Sequence, residues 1–405
     1  MTTSTRIAYG HLSDALAASF TQDTDSVDLE PIAGLPIEIR SFDFASRNWE
    51  IHASAGETTD DRDIAQNRWF RYSIVAPKRA AEFESERFDR GTLLCHGLNE
   101  KTWEKYLPWA VRLAELTRRP VVLFPIAFHM NRAPAAWSAP RTMMPVLAER
   151  RRRFPALAGS SFANVALSER VGSVPLRFVT SGLQSFHDTA DLVRGISAGR
   201  HELFAPGAVV DVFGYSIGAL LAEALLMRNP DELFSESRAV IFCGGAVMDR
   251  TNPVSKAIMD DEAYRRLETS FRKIAEAGAA RLPQELGLSL AHVRDVETLL
   301  SMLFMDAFRE RRERSLRAIA DRVVVMGLAK DAVFPPDGLA ESWRAQDGSA
   351  ILSPHIFDPS CDHRHEVPFD QRSAHPEAVN RLFETVFERA AEHLGSPASA
   401  GRIAV

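Results

Sequence analysis

The chain has 405 residues, 45% of them hydrophobic and 25% charged, with 48 Lys and Arg against 54 Asp and Glu for a formal net charge of -6 at pH 7. This composition suits one large α/β domain carrying insertions and argues against a disordered chain, and the mild negative charge argues against a nucleic-acid partner. Three cysteines, an odd number in a chain this long, point to reduced thiols and a cytoplasmic setting. The start Met1–Ala8 lacks the basic and apolar pattern of an export signal, and no stretch is long enough to form an integral membrane segment. The oligomeric state is left open.

Residues 1–66 read as an N-terminal extension, partly loop, with the acidic, Thr-rich Thr58–Asp61 as exposed loop. Ile37–Arg40 and Phe70–Ile74 alternate apolar with polar residues, the pattern of half-buried strands at an antiparallel sheet edge. From Thr92 the texture changes to short, fully apolar strands separated by amphipathic helices, as expected of parallel strands covered on both faces. Thr92–Cys95 and Val121–Phe124 are such strands. Between them Tyr106, Trp109, Ala110, Leu113, Ala114 and Thr117 share one helical face.

Residues 67–252 form the first part of this core, interrupted at 125–183 by a connection too long for a strand-helix loop and therefore expected to lie over the C-terminal edge of the sheet. Its basic run Arg150–Arg153 reads as a solvated face or connector end, and a helix from Phe186 to Ile196 leads to the next strand. Val209–Tyr215 is that strand. It runs through Gly214-Tyr215-Ser216-Ile217-Gly218 into the helix-forming Ala219–Leu225. Arg238–Gly245 reads as another buried strand. Residues 253–320 are helical and charge-rich, with Val296, Leu299, Leu300, Leu303 and Phe304 in one stripe, the natural position for a helical lid. Met302, Met305 and Phe308 could line an acyl pocket beneath it, or simply fill core. The core resumes over 321–396 with the strand Arg322–Gly327 and a closing amphipathic helix carrying Val379, Leu382, Phe383, Val386, Phe387 and Ala390, before a tail at 397–405.

Strand, Gly-x-Ser-x-Gly and helix in that order make a nucleophile elbow. A serine placed on so sharp a turn stands exposed above the sheet, and the glycines permit the close approach of strand and helix. The same turn directs the Ile217 amide, at the helix start, toward an oxyanion formed on a carbonyl attacked by Ser216. Downstream, Val323–Pro336 has Asp331 in the loop after a late strand, and His363 and His365 lie before the final helix.

With His96-Gly97 after the first parallel strand, these segments resemble the α/β-hydrolase superfamily, in a bacterial-like branch with a long insertion before the elbow and a helical lid. The resemblance spans about Phe70 to Leu394. It implies the α/β-hydrolase fold, a mostly parallel central sheet with helices on both faces, and the chain order Ser, acid, His. It implies Ser216 as nucleophile, Asp331 as the acid and His365 as the base, with His363 as the alternative. The preference for His365 rests on the Pro368-Phe369 step that follows it. Leu98 and Ile217 would supply the oxyanion-hole amides, with His96 shaping the loop. His129 and Arg132, beyond a strand's C-terminal end, are candidates for substrate contact, set against loop packing and surface charge.

Cys361, His363 and His365 have a spacing that could ligate a metal with Asp358 or Asp362, but no second Cys or His pair supports it, so neither metal nor organic cofactor is expected. The expected activity is hydrolysis of a small-molecule ester or related acyl bond through an acyl-enzyme. The alternatives are an acyltransferase using the same triad and a non-catalytic ligand-binding or scaffold protein.

Overall fold

The apolar runs assemble into one sheet. A computed structural model describes residues 7–53, 61–79, 86–277 and 292–395. Thr58, Thr59 and Asp60, the 397–405 tail and the 278–291 part of the expected lid lie outside the described residues. The nine strands are β1 (Ser26–Asp28), β2 (Ile37–Ala45), β3 (Trp69–Pro77), β4 (Phe88–Cys95), β5 (Val121–Leu123), β6 (Phe204–Tyr215), β7 (Ala239–Phe242), β8 (Val323–Leu328) and β9 (His355–Phe357), in the spatial order β1-β2-β3-β5-β4-β6-β7-β8-β9. β1 to β3 and the β3–β5 junction are antiparallel, and every other neighbouring pair is parallel. This is the α/β-hydrolase fold. The short strands β1 and β9 extend the sheet beyond what hydrophobic patterning indicates, because three-residue strands carry too little alternation to be read.

Both faces of the sheet are covered, which is why its parallel strands are apolar throughout. Side chains alternate across it. Val210, Val212, Leu93, Ile241 and Val325 pack with the helices Leu176–Ser197, Ile217–Arg228 and Val293–Ser301. Phe213, Tyr215, Leu94, Val240 and Phe242 pack on the other side with Tyr9–Ser19, Leu107–Thr117 and Pro376–Gly395. On that second face Trp109 meets Tyr215 edge-on at 5.1 Å and Phe369 at 5.6 Å. Such aromatic pairs add about 0.5–1.5 kcal/mol each beyond burial, so the elbow strand is anchored to the closing segment of the chain.

Register brings the strand ends level. Cys95 of β4 lies beside Gly214 of β6, Tyr215 beside Phe242 of β7, and Phe242 beside Met326 of β8. The loops after these four strands therefore meet at one edge, where open α/β sheets bind ligands.

Two readings of the sequence are corrected here. The helix expected over Phe186–Ile196 begins at Leu176 and runs 22 residues to Ser197. Its first half looks like loop because of Ser181-Gly182. The Ser181 and Ser185 hydroxyls, however, bond to carbonyls one turn back, and a Cβ at Gly182 would stand 3.7 Å from Leu299. The Arg150–Arg153 run is not uniformly solvated either. Arg150 is 2% exposed and holds Asp260 through two bonds of 2.6 and 2.7 Å, with Glu169 at 2.9 Å.

Candidate active site

Ser216 follows β6 at φ 57°, ψ -123°, between the strand and the helix Ile217–Arg228. Few non-glycine residues adopt positive φ, and strain here is held by the packing around it. A Cβ at Gly218 would come within 2.2 Å of the Cys95 carbonyl oxygen, and one at Gly214 within 2.7 Å of the Ala219 Cα. The neighbours are backbone and cannot yield, so both glycines are dictated by how closely helix and strands meet. Gly244, after β7, is equally confined, since its Cβ would stand 2.8 Å from the Ser216 carbonyl oxygen.

Ser216 Oγ lies 2.8 Å from His365 Nε2, and His365 Nδ1 lies 2.9 Å from Asp331 Oδ2. All three side chains are buried. The Val333 and Phe334 amides each donate to Asp331 Oδ1 at 2.9 Å, so one carboxylate oxygen is fixed by its own loop and the other faces the imidazole. The His365 ring is stacked between Tyr215 (5.5 Å, 12°) and Phe334 (5.3 Å, 27°). The Tyr215 hydroxyl donates to the His365 carbonyl. These contacts hold the ring's position and twist, while Asp331 sets the tautomer with hydrogen on Nδ1.

His363 is placed elsewhere. Its Nε2 accepts from the Lys330 amide at 3.2 Å and its Nδ1 faces the Cys361 carbonyl at 3.2 Å, so it braces the loop that carries Asp331. The structure brings His365, and not His363, to the serine. The thiol of Cys243 sits beside Asp331, and burial first, then the nearby carboxylate, pushes it well above the ordinary thiol range. Among the described residues no group of three or more His, Cys, Asp or Glu side chains is arranged to hold a metal. No helix of the described residues is long and apolar enough to cross a membrane.

The loop after β4 is fixed by His96. Its Nδ1 donates to the Gly97 carbonyl at 2.8 Å and its Nε2 accepts the Ile126 amide at 3.0 Å. Burial, partly offset by the bond to Gly97, pushes the His96 pKa down to about 3, which keeps the ring neutral. The Gly97 amide donates to the Tyr106 hydroxyl at 2.9 Å, which donates to Glu100 at 2.8 Å. Asn99, at φ 63°, gives its side-chain amide to the carbonyls of Ala163 (2.8 Å) and Ala257 (2.6 Å), and its Oδ1 accepts from Lys101. Two segments distant in sequence are thereby tied to the loop that carries Leu98. Motif reading missed Asn99, because nothing local marks such a long-range bridge.

One cavity borders Ser216 on its polar side, and an apolar one reaches Leu98 and Ile217 beside it. The polar cavity, of about 350 Å³, includes Ser216, His365, Glu366, Glu100 and Lys105 in its wall, with Trp137 and Phe162 above. Lys105 is held by Glu100 and by the Glu366 carbonyl at 3.2 Å. The apolar cavity, of about 100 Å³, runs from Leu98 and Ile217 along Leu220 and Phe178 to Leu299 and Leu303. Leu98 borders both, and the Ile217 amide is the first of the elbow helix, where no intrahelical acceptor exists. Met302 lines a smaller apolar space of about 50 Å³ that borders Ser216, Ile217 and Leu220, and Met305 is buried.

His129 lines the apolar cavity, but Arg132 reaches neither space. The candidate role of Arg132 in substrate contact is corrected. Its guanidinium is fully buried under Phe70 (4.1 Å) and bonded to Asp188 at 2.7 Å, to Asn67 Oδ1 at 3.1 Å and to the Pro125 carbonyl at 3.0 Å. A buried guanidinium must be paired in this way, and its donors are spent on the fold.

Residues 7–395 match the family described as "Family of unknown function (DUF6051)". No curated protein matches the chain in sequence. Among solved structures it is similar to the peroxisomal alpha-beta-hydrolase of Saccharomyces cerevisiae, at 14% identity and a TM-score of 0.44, over 91% of this chain and 94% of that one. It is also similar to a thermostable esterase from Pseudomonas putida, at 11% identity and a TM-score of 0.42, over 96% and 90% of the two chains. A Pyrobaculum calidifontis esterase matches at 11% identity and a TM-score of 0.40, over 88% and 85%.

Proposed function

We infer that this chain, which belongs to the DUF6051 family, is a serine hydrolase that cleaves a small-molecule ester or related acyl bond through an acyl-enzyme on Ser216. The observation that carries this reading is the continuous relay from Ser216 Oγ to His365 Nε2 at 2.8 Å and from His365 Nδ1 to Asp331 Oδ2 at 2.9 Å, set on a serine of positive φ.

Ser216 Oγ attacks the carbonyl carbon while its proton passes to His365 Nε2, and Asp331 stabilises the imidazolium that forms. The oxyanion faces the Leu98 and Ile217 amides. Collapse of the tetrahedral intermediate expels the alcohol, which takes the proton from His365 and leaves the acyl group on Ser216. Water entering by the polar cavity gives a proton to His365 and attacks the acyl carbonyl, and the second collapse returns that proton to Ser216. The apolar cavity suits the acyl chain and the polar one the leaving group. Residues 125–183 and the described parts of 253–320 supply the cover over this junction, with Asn99 joining them through Ala163 and Ala257. No metal or organic cofactor takes part in these steps. Free, buried Cys95, Cys243 and Cys361 fit a reducing compartment such as the cytoplasm.

A fluorophosphonate probe, which phosphonylates an activated serine, tests the nucleophile. Wild type is expected to be labelled and Ser216→Ala not, with hydrolysis of a short-chain aryl ester lost in the same variant. Equal labelling of the two folded proteins would remove Ser216 from the reaction.

A further inference from the structure

Leu98, Asn99, Lys101 and Trp137 stand in the walls of both the polar cavity that holds Ser216 and the apolar cavity beside it. Of these, Lys101 alone carries a charge. It is half-buried and held at both ends: its carbonyl accepts from Gln22 Nε2 at 3.0 Å, and its Nζ donates to Asn99 Oδ1 at 2.8 Å. An ammonium has three hydrogens to give, and among the described residues no carboxylate forms an ion pair with this one. Burial, opposed by the field of Glu100, pulls its pKa down to about 8, so the charged form still prevails at neutral pH. Glu100 is itself taken, its Oε1 receiving Lys105 and the Tyr106 hydroxyl. Lys105, one helical turn further along the chain, shows the contrast. It is held by Glu100 and the Glu366 carbonyl and lies over the rings of Tyr106 at 5.0 Å and Tyr215 at 4.8 Å.

An ammonium drawn partly out of water and left without an anion is costly, and an occupant that brings a carboxylate removes the cost. We propose that Lys101 is a specificity residue that pairs with a carboxylate of the substrate, so that the preferred substrates are esters carrying a free carboxylate near the scissile bond. One ammonium balances one negative charge. The second charge of a phosphate monoester finds Lys105 already paired, and Glu366, in the polar wall, repels an anion placed away from Lys101. Because Lys101 borders both cavities, the carboxylate belongs to the acyl part or to the alcohol part of the ester, and the two arms of the test separate these sources. The ester class rests on the hydrolase reading above. The pairing of Lys101 with a carboxylate does not.

One arm compares monoaryl esters of glutaric and adipic acid with the same esters in which the free carboxylate is a primary amide. The other compares meta-carboxyphenyl butyrate with meta-carbamoylphenyl butyrate, and uncatalysed hydrolysis is subtracted throughout. In wild type the carboxylate member of at least one arm is expected to exceed its amide in kcat/KM by about tenfold or more. In Lys101→Met that ratio is expected to fall to about one or below, and in Lys101→Arg, which keeps the charge, to stay well above one. The arm that shows the preference tells which part of the ester carries the carboxylate. Wild-type ratios near one in both arms, or a preference that Lys101→Met leaves intact, overturn the proposal.

Binding separates this outcome from failure of the hydrolase reading. Ser216→Ala, with Lys101 in place, is expected in calorimetry to bind the carboxylate ester of at least one pair about tenfold more tightly than its amide, and to lose that difference when Lys101→Met is added. Lys101→Gln, which retains a donor for Asn99, takes the place of the methionine variant if that one does not fold. Equal affinities in every pair overturn the proposal whether or not any ester is turned over. A Lys101-dependent preference in binding, with no turnover by wild type, keeps the Lys101 assignment and removes the hydrolase.

Discussion

The elbow and the cover above it are built on opposite principles. At the elbow, geometry follows from backbone. Two glycines whose Cβ atoms would strike main-chain atoms, a serine at positive φ and a carboxylate capped by the amides two and three residues on are all short-range devices. The cover is held by charges that meet from far along the chain. Arg150 reaches Asp260, Arg170 and Arg177 share Asp61, and Arg132 grips Asp188 beneath it. Chemistry that must be placed to within a fraction of an ångström is thus built from rigid local geometry. Segments that shape the cavity are clamped by ion pairs, whose strength depends on burial and on both partners being present.

The comparison can be broken most forcefully at Asp331. If the carboxylate acts by setting the tautomer of His365, then Asp331→Asn should keep the geometry, offer a donor where an acceptor is needed, and lower kcat by about 10⁴-fold with little change in KM. Stopped assays on a short-chain aryl ester measure this. His363→Ala should lose less than about tenfold in kcat while lowering the melting temperature by several degrees, since it removes only the braces to Lys330 and Cys361. The reverse ranking would move the base to His363 and leave the observed relay without a role.

Legibility in the sequence divides along the same line. Ser216, Asp331 and His365 are readable because each sits in a short run whose pattern is set by its own neighbours: apolar strand, tight turn, helix or loop. The parallel strands are readable because both faces need apolar residues. Asn99 and Arg150 are not readable, since their partners are remote and a basic run looks the same whether it is solvated or turned inward onto Asp260. Arg132 misleads for the same reason, its position suggesting a ligand contact when its charge is consumed by Asp188.

Arg150 is the sharper test of the cover. Arg150→Ala should destabilise the protein by about 3–5 kcal/mol in denaturant unfolding, because it strands the fully buried Asp260, whereas Arg150→Met combined with Asp260→Leu should recover most of that loss. A single variant within about 0.5 kcal/mol of wild type would return the whole run to the solvent-exposed class.

Glu223 is the exception on the elbow's side, and the smallest expected effect belongs to it. It stands on the elbow helix, fully buried, with neither carboxyl oxygen bonded among the described residues and Oε1 3.1 Å from where a Cβ on Gly245 would be. Burial pushes its pKa up to about 8. An unfolded glutamate releases its proton near pH 4.3, so between that pH and about 8 the folded protein binds a proton that the unfolded chain does not. Stability contributed by the neutral carboxyl is therefore intact below the unfolded value, falls as pH rises, and levels off above the folded value. Glu223→Gln removes the titration. Relative to the variant, wild type should lose about 2–4 kcal/mol between about pH 5 and about pH 8, read from urea midpoints across that range. Parallel curves for the two proteins would mean that the Glu223 carboxyl is solvated or paired.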